Sequence, residues 1–384
     1  MANAPGQRRK LVVSRDLGPD TMSLLYARED LEIVAWPEDR RCERSWLLEK
    51  IAGATGAIVM LSDKIDEEFF ERAGPSLKVV STTSVGFEQV DLHALYRRKV
   101  RLGYTPDILT DAVADASVML ALMAGRNAGE GVTLVKEGKW PNFHFAPFFF
   151  TGPQLSPTPL SPTRTAGFLG FGRIAQATLT RLTAFGLTHC IYTTNPASPP
   201  NTALEASLAA RYNTGISSSL RSVRRVELDE LARASDVLFV LAPGGESTHH
   251  VVNADFLRKM KKHAVLVNTS RGTLVDSDAL AQALHEEWIW GAGLDVVEGE
   301  PHVGADHPLV QEPRYVQYIG WECITDHLRK LYFRRCVIIP HIGSATFETR
   351  LGMVNLAAGN ALAGIDDEAM PAELDVAARI ASQP

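Results

Sequence analysis

Three residues of this sequence could together reduce a ketone that carries a carboxylate. They are Arg271 in VNTSRGTLVD, Glu300 in GLDVVEGEP and His341 in IIPHIGSAT. An arginine grips and orients a carboxylate through its planar fork of donors. A histidine supplies a proton near neutral pH as hydride reaches the carbonyl carbon. A carboxylate beside the imidazole orients it and favours its charged form. Singly, each residue has a plainer role as a solvated charge or a structural histidine. All three follow apolar runs that read as strands, and ligands of open α/β sheets bind beyond the carboxyl ends of strands.

Such a reaction needs a hydride donor, and a glycine-rich turn upstream could hold one. The segment GFLGFGRIAQATLTRLTAFG places Gly170, Gly172 and Ala175 in the dinucleotide spacing, with alanine at the permitted third position. A strand precedes the turn and an amphipathic helix follows it, which is the context that gives the spacing meaning. Gly170 permits the tight turn and Gly172 lets backbone approach a pyrophosphate. Amides at the helix N-terminus hold the anion, and Arg173 adds charge. At the end of the next strand, HCIYTT, the sequence offers Thr193, Thr194 and Asn195 where NAD enzymes usually carry an acid. Hydroxyl and amide groups tolerate a 2′-phosphate, so the strand end favours NADP(H) over NAD(H). No arginine stands beside these residues in the sequence.

The elements that position these groups alternate. In the first hundred residues, KLVVS, LEIVAW, GAIVML, LKVVSTTS and VRLGYTP read as strands, with TMSLLYARED, SWLLEKIAG and LHALYRRK as helices between them. The segment DAVADASVMLALM reads as a helix capped by Asp111, apolar nearly all round and buried on all sides between two domains. A second alternating series starts near Thr165, with strands TAGFL, HCIYTT, DVLFVLAP, AVLVNTS, WGAGLDVV and CVIIPH. The expected architecture is therefore α/β, with two Rossmann-like doubly wound parallel sheets and the active site in the cleft between them. Two stretches fit poorly: a Pro/Ser-rich loop at 152–163 and an aromatic, basic run at 311–335.

The bulk composition of the 384 residues agrees with a globular protein: 45% hydrophobic, 22% charged, net charge −6. The negative balance argues against nucleic acid as a partner. Cys42, Cys190, Cys323 and Cys336 lack metal-ligand or framework spacing, so free thiols and no metal are expected. The basic N-terminus precedes an apolar run too short for a leader, and no stretch is long enough to span a bilayer. No membrane association and a cytoplasmic location are expected.

Taken together, SVGFEQVDL, ILTDAVADASVMLAL, GFGRIAQA, NTSRGTLVDSDALAQAL, GLDVVEGEP and PHIGSAT resemble the D-isomer-specific 2-hydroxyacid dehydrogenase family, in family order and over most of the chain. LSDKID, the YTTN strand end and the tail NLAAGNALAG…MPAEL are most similar to glyoxylate/hydroxypyruvate reductases. The resemblance implies reduction of hydroxypyruvate or glyoxylate to D-glycerate or glycolate. It implies that amides around Val85 and Gly86 hold the substrate carboxylate beside Arg271. On the cofactor side it implies roles for Thr110, Ile174, Pro243, Thr248, Thr269, Asp295, His341 and Gly343. It implies a substrate domain of 1–112 plus 348–384 around a cofactor domain of 113–347, and a homodimer in which Phe143, near Trp140, extends toward the partner's site. The spacing from Glu300 to His341 is 41 positions, longer than the family's, with the surplus between Leu309 and Cys336. Two readings of this surplus stand: a tolerated surface insertion one strand from His341, since long loops cost little closure entropy, or a retained intron, since Arg314-Tyr315-Val316 can be encoded with a GTATGT-like splice donor and Thr325-Asp326 with a CTGAC-like branch point. The competing reading is a cofactor-sensing, corepressor-like protein on the same fold.

Overall fold

The computed structural model describes residues 8–142, 151–197, 199, 201–212, 220–311, 315–316, 331–332 and 335–381. The chain divides into two compact units, Met1–Leu109 with Ala345–Pro384, and Thr110–Ser344.

The first unit opens with β1 (Arg9–Val13), α1 (Pro19–Tyr26), β2 (Leu31–Ala35), α2 (Arg44–Lys50), β3 (Gly56–Val59), α3 (Glu67–Ala73), β4 (Val79–Thr82), α4 (Leu92–Arg97) and β5 (Arg101–Gly103). The strands form a parallel sheet in the order β2-β1-β3-β4-β5, a flavodoxin-like order. Its central strands are buried on both faces, and for that reason they read as continuous apolar runs rather than alternating ones. The helix α3 is absent from the sequence reading. Asp66 caps it by accepting from the Phe69 nitrogen, and Phe69 and Phe70 are buried beneath it.

The second unit contains α5 (Thr110–Gly125), α6 (Ala128–Lys136), β6 (Thr165–Leu169), α7 (Arg173–Thr183), β7 (His189–Thr193), α8 (Thr202–Tyr212), β8 (Ser222–Arg225), α9 (Leu228–Ala234) and β9 (Val237–Val240). It continues with α10 (Ala254–Lys259), β10 (Val265–Asn268), α11 (Ser277–His285), β11 (Gly291–Leu294), α12 (Pro308–Gln311), β12 (Tyr315–Val316), β13 (Leu331–Tyr332) and β14 (Cys336–Ile338). Among the described residues, seven parallel strands make one sheet in the order β14-β11-β10-β9-β6-β7-β8. Strand order reverses between β6 and β9, the crevice where dinucleotides bind in such sheets. The chain then returns to the first unit with α13 (Phe347–Ile365) and α14 (Val376–Ala381).

Two expectations need correction. Asp111 does not cap α5. The helix already includes Thr110, and the Asp111 carboxylate, in the first turn, accepts from Arg181 Nη2 at 2.9 Å. Nor is α5 buried on all sides. Asp111, Asp115 and Met119 form an exposed stripe at helical spacing, and Arg181 on α7 pairs with both acids. The loop 152–163 has no helix and is closed by paired backbone bonds between Thr158 and Ser161. Within 311–335, β12 and β13 pair antiparallel with each other and stand apart from both sheets. The remaining residues of that segment, Cys323 and Ile324 included, lie outside the described residues. Cys42, Cys190 and Cys336 are free thiols. No helix among the described residues is long and apolar enough to cross a membrane.

Candidate active site

The glycine turn lies directly after β6, at the reversal of strand order. Gly170 has φ +89, and a Cβ there would fall 2.6 Å from the Ala242 backbone, so only glycine fits. Gly172 is the N-cap of α7 and offers no side chain to its first amides. A Cβ on Gly172 would meet nothing within 4 Å, so the space before the helix is open. The turn therefore aims the first backbone N–H groups of α7, those of Arg173 and Ile174, and the positive end of the helix at an incoming anion. These residues fit a dinucleotide pyrophosphate.

Around the same strand ends, Thr248 Oγ donates to the Pro243 carbonyl at 2.9 Å, and both sit in the turn after β9. Thr269 follows β10 and is buried. Ser117 gives its proton to the Val113 carbonyl at 2.7 Å, so Thr269 donates to Ser117 across 2.7 Å. Thr194 is half-buried and Asn195 exposed just beyond β7.

The corner that holds His341 and Glu300 is built from β10, β11 and β14, which are neighbours. His341 Nδ1 lies 3.1 Å from Glu300 Oε1, and about a third of each side chain is exposed. With the carboxylate ionised, Nδ1 carries the proton toward it and Nε2 is the nitrogen left to meet a ligand. His341 has φ +51. Its turn is held from below by Asp295, which accepts from the Ile342 nitrogen at 2.7 Å and from the Gly343 nitrogen at 3.0 Å. Burial raises the Asp295 carboxyl above the usual carboxylate range, against the pull of those two amides and of His341. The Asp295 nitrogen in turn donates to the Asn268 carbonyl.

Arg271 follows β10 and starts a single 3-10 turn, Gly272–Leu274. Buried Asn268 fixes that approach, donating to the Arg271 carbonyl and accepting from the Ser270 nitrogen. Gly272 lies so near the next loop that a Cβ would be 2.2 Å from the Val297 carbonyl carbon. The arginine loop is thus pressed against the loop that carries Glu300. His250 ties the same two loops to a third: its nitrogen donates to the Thr273 carbonyl and its ring bonds Glu298 at 2.8 Å.

Val85 and Gly86 belong to the first unit, in the turn after β4, where Ser84 Oγ donates to the Gly86 carbonyl at 2.5 Å. Thr110 is the first residue of α5. Trp140 is exposed, and Phe143 lies outside the described residues. One sequence expectation is overturned here. An arginine does stand beside the β7 strand end: Arg225 Nη2 donates to the Asn195 carbonyl at 3.2 Å. It comes from β8, a strand that the sequence reading missed.

The family model of the D-isomer specific 2-hydroxyacid dehydrogenase NAD binding domain matches residues 118–318. The chain is 36% identical over 370 residues to the glyoxylate reductase/hydroxypyruvate reductase of Homo sapiens, covering 96% of this chain and 99% of that protein. It is 34% identical to a glyoxylate reductase of Thermofilum pendens, covering 95% and 94% of the two chains. Among solved structures, it is similar to an NADPH-dependent glyoxylate/hydroxypyruvate reductase of Sinorhizobium meliloti in complex with NADP and malonate. That match has a TM-score of 0.71 at 28% identity, over 96% of this chain and 98% of that one. The chain belongs to the D-isomer specific 2-hydroxyacid dehydrogenase family. Its activity is that of an NAD(P)-dependent 2-hydroxyacid dehydrogenase.

Proposed function

We propose that the chain reduces hydroxypyruvate or glyoxylate to D-glycerate or glycolate, with NADP(H) preferred over NAD(H). The observation that carries the reading is the His341–Glu300 contact, on a turn pinned by Asp295, in the same unit as the glycine turn. The named activity of the human and Thermofilum relatives supports the choice of keto acid. When bound, the nicotinamide supplies the hydride. Arg271 grips the substrate carboxylate, with the amides around Val85 and Gly86 as further donors. His341 delivers a proton from Nε2 to the carbonyl oxygen, and Glu300 holds the ring in the orientation that delivery needs. Residues 1–112 with 348–384 form the substrate domain of this reading, and 113–347 the cofactor domain.

The test follows loss of nicotinamide absorbance with hydroxypyruvate and with glyoxylate, using NADPH and NADH, in the wild type and in His341→Ala. Fast NADPH oxidation that falls about a hundred- to ten-thousand-fold in the variant is the expected result. Cofactor binding without turnover on either acid would instead support a cofactor-sensing protein on this fold.

A further inference from the structure

The pairing of β7 with β8 brings a guanidinium to the edge of the cofactor crevice. In the register, Tyr192 faces Arg225, and the next residues of β7 are Thr193 and then Thr194 and Asn195. Successive side chains of a strand point to opposite faces, and the two arginines that end β8 part accordingly. Arg224 is exposed and pairs with Glu230 at 2.5 Å. Arg225 is half-buried and reaches along the sheet to the Asn195 carbonyl at 3.2 Å. Its charged end therefore sits at the carboxyl end of β7, where this fold receives the adenosine ribose.

The acidic groups nearby are arranged to match. From Thr193 to Leu204 the sequence contains no aspartate or glutamate. The first acid, Glu205, is committed elsewhere. One of its oxygens accepts both the Tyr192 hydroxyl, at 2.9 Å, and the Arg225 backbone nitrogen, at 2.8 Å. That bond holds the end of β8 against β7 and keeps the carboxylate on the Tyr192 side. Tyr192 is itself stacked on Phe171 of the glycine turn at 4.2 Å, so β8, β7 and the turn are braced as one wall. The strand end itself, from Thr193 to Leu204, offers a ribose diol no carboxylate to accept its hydroxyls. A 2′-phosphate meets a planar fork of donors, which matches its oxygens far better than a hydroxyl does.

We propose that Arg225 binds the 2′-phosphate of the adenosine ribose and sets the preference for NADP(H), an inference that rests on the dehydrogenase reading above. Thr194 and the Asn195 turn supply neutral donors around it. The test separates binding from turnover by using two nucleotides that differ only in that phosphate: adenosine 2′,5′-bisphosphate and 5′-AMP, titrated calorimetrically into the full chain. The wild type is expected to bind the bisphosphate about tenfold or more tightly than 5′-AMP. Arg225→Ala is expected to erase that difference while moving 5′-AMP affinity less than about twofold, and Arg225→Lys to restore part of it. Arg224→Ala, one residue away and ion-paired outward, is expected to keep the full difference. A variant Arg225→Ala that retains the discrimination, or weakens both ligands equally, overturns the proposal. Equal binding of the two ligands by the wild type also overturns it, yet leaves the dehydrogenase reading standing. Failure of the wild type to bind either one removes both.

Discussion

Both carboxylate oxygens of Asp295 lie 3.0 Å from the backbone nitrogen of Gly343, two residues beyond His341. That approach requires glycine, because a Cβ at Gly343 would fall 2.6 Å from Asp295 Oδ2. Something must move if one is added, either the Asp295 carboxylate or the turn it holds, and each loosens the anchor of the imidazole. Gly343→Ala is therefore expected to lower kcat about tenfold or more, with an overpacking cost of about 1–3 kcal/mol in stability. Steady-state kinetics and a thermal melt read both. A variant with wild-type kcat would remove Asp295 as the anchor of His341.

Glu300 and Arg271 are expected to fail differently. Glu300 touches the ring of His341 at Nδ1 and not at Nε2, the proposed proton donor. Glu300→Ala should therefore lower kcat about tenfold to a hundredfold while substrate KM moves less than about threefold, the mark of an interaction felt in the transition state. Arg271→Lys keeps the charge and loses the fork, so KM for the keto acid should rise about tenfold. If the two variants showed the same split, the separate roles proposed for them would not hold.

The segment 311–335 carries a third prediction. Its short strands β12 and β13 pair with each other and join neither parallel sheet. The match to the NAD binding domain model stops at residue 318, inside it and short of His341. The processed message is expected to lack the codons of this surplus, which sequencing of the transcript decides. A message that still encodes Ile324 would make the segment part of the functional chain.

Much of the scaffold is legible in the sequence because buried parallel strands announce themselves as β-branched runs. Strands β3, β4, β9 and β10 are buried at every residue. The edge strand β8 is not legible. It reads SVRR and buries only Val223, so neither an apolar run nor an alternation marks it. Missing β8 also hides Arg225, because only the β7–β8 register brings that arginine beside Asn195. Helix α3 escapes for a related reason: its acidic first turn, Glu67 and Glu68, dilutes the apolar signal of Phe69 and Phe70. In the candidate site, Glu300 and His341 stand out as polar groups after apolar runs. The bonds from Ile342 and Gly343 to Asp295 do not, since they depend on β14 lying beside β11.

Asp236 yields a prediction about stability and pH. It sits just before β9 and is largely buried. Burial alone would raise its carboxyl. Bonds from His263 Nε2 at 2.9 Å, Lys261 Nζ at 2.7 Å and the Thr165 nitrogen at 2.8 Å outweigh this and hold it at about 2, against an ordinary 3.8. A carboxyl with a depressed folded value stabilises the native state above its unfolded value and loses that contribution as pH falls toward the folded one. The contribution should be full above about pH 4 and should fade toward about pH 2. A shift of this size corresponds to about 2 kcal/mol at most, reduced by solvent around His263 and Lys261 to about 1 kcal/mol. Asp236→Asn is therefore expected to unfold more easily than the wild type near neutral pH, with the gap narrowing below about pH 4. Urea unfolding of both proteins across that range measures it. A gap that stays constant with pH would mean that the charge of Asp236 adds nothing, and that its role is only to accept the Thr165 amide that starts β6.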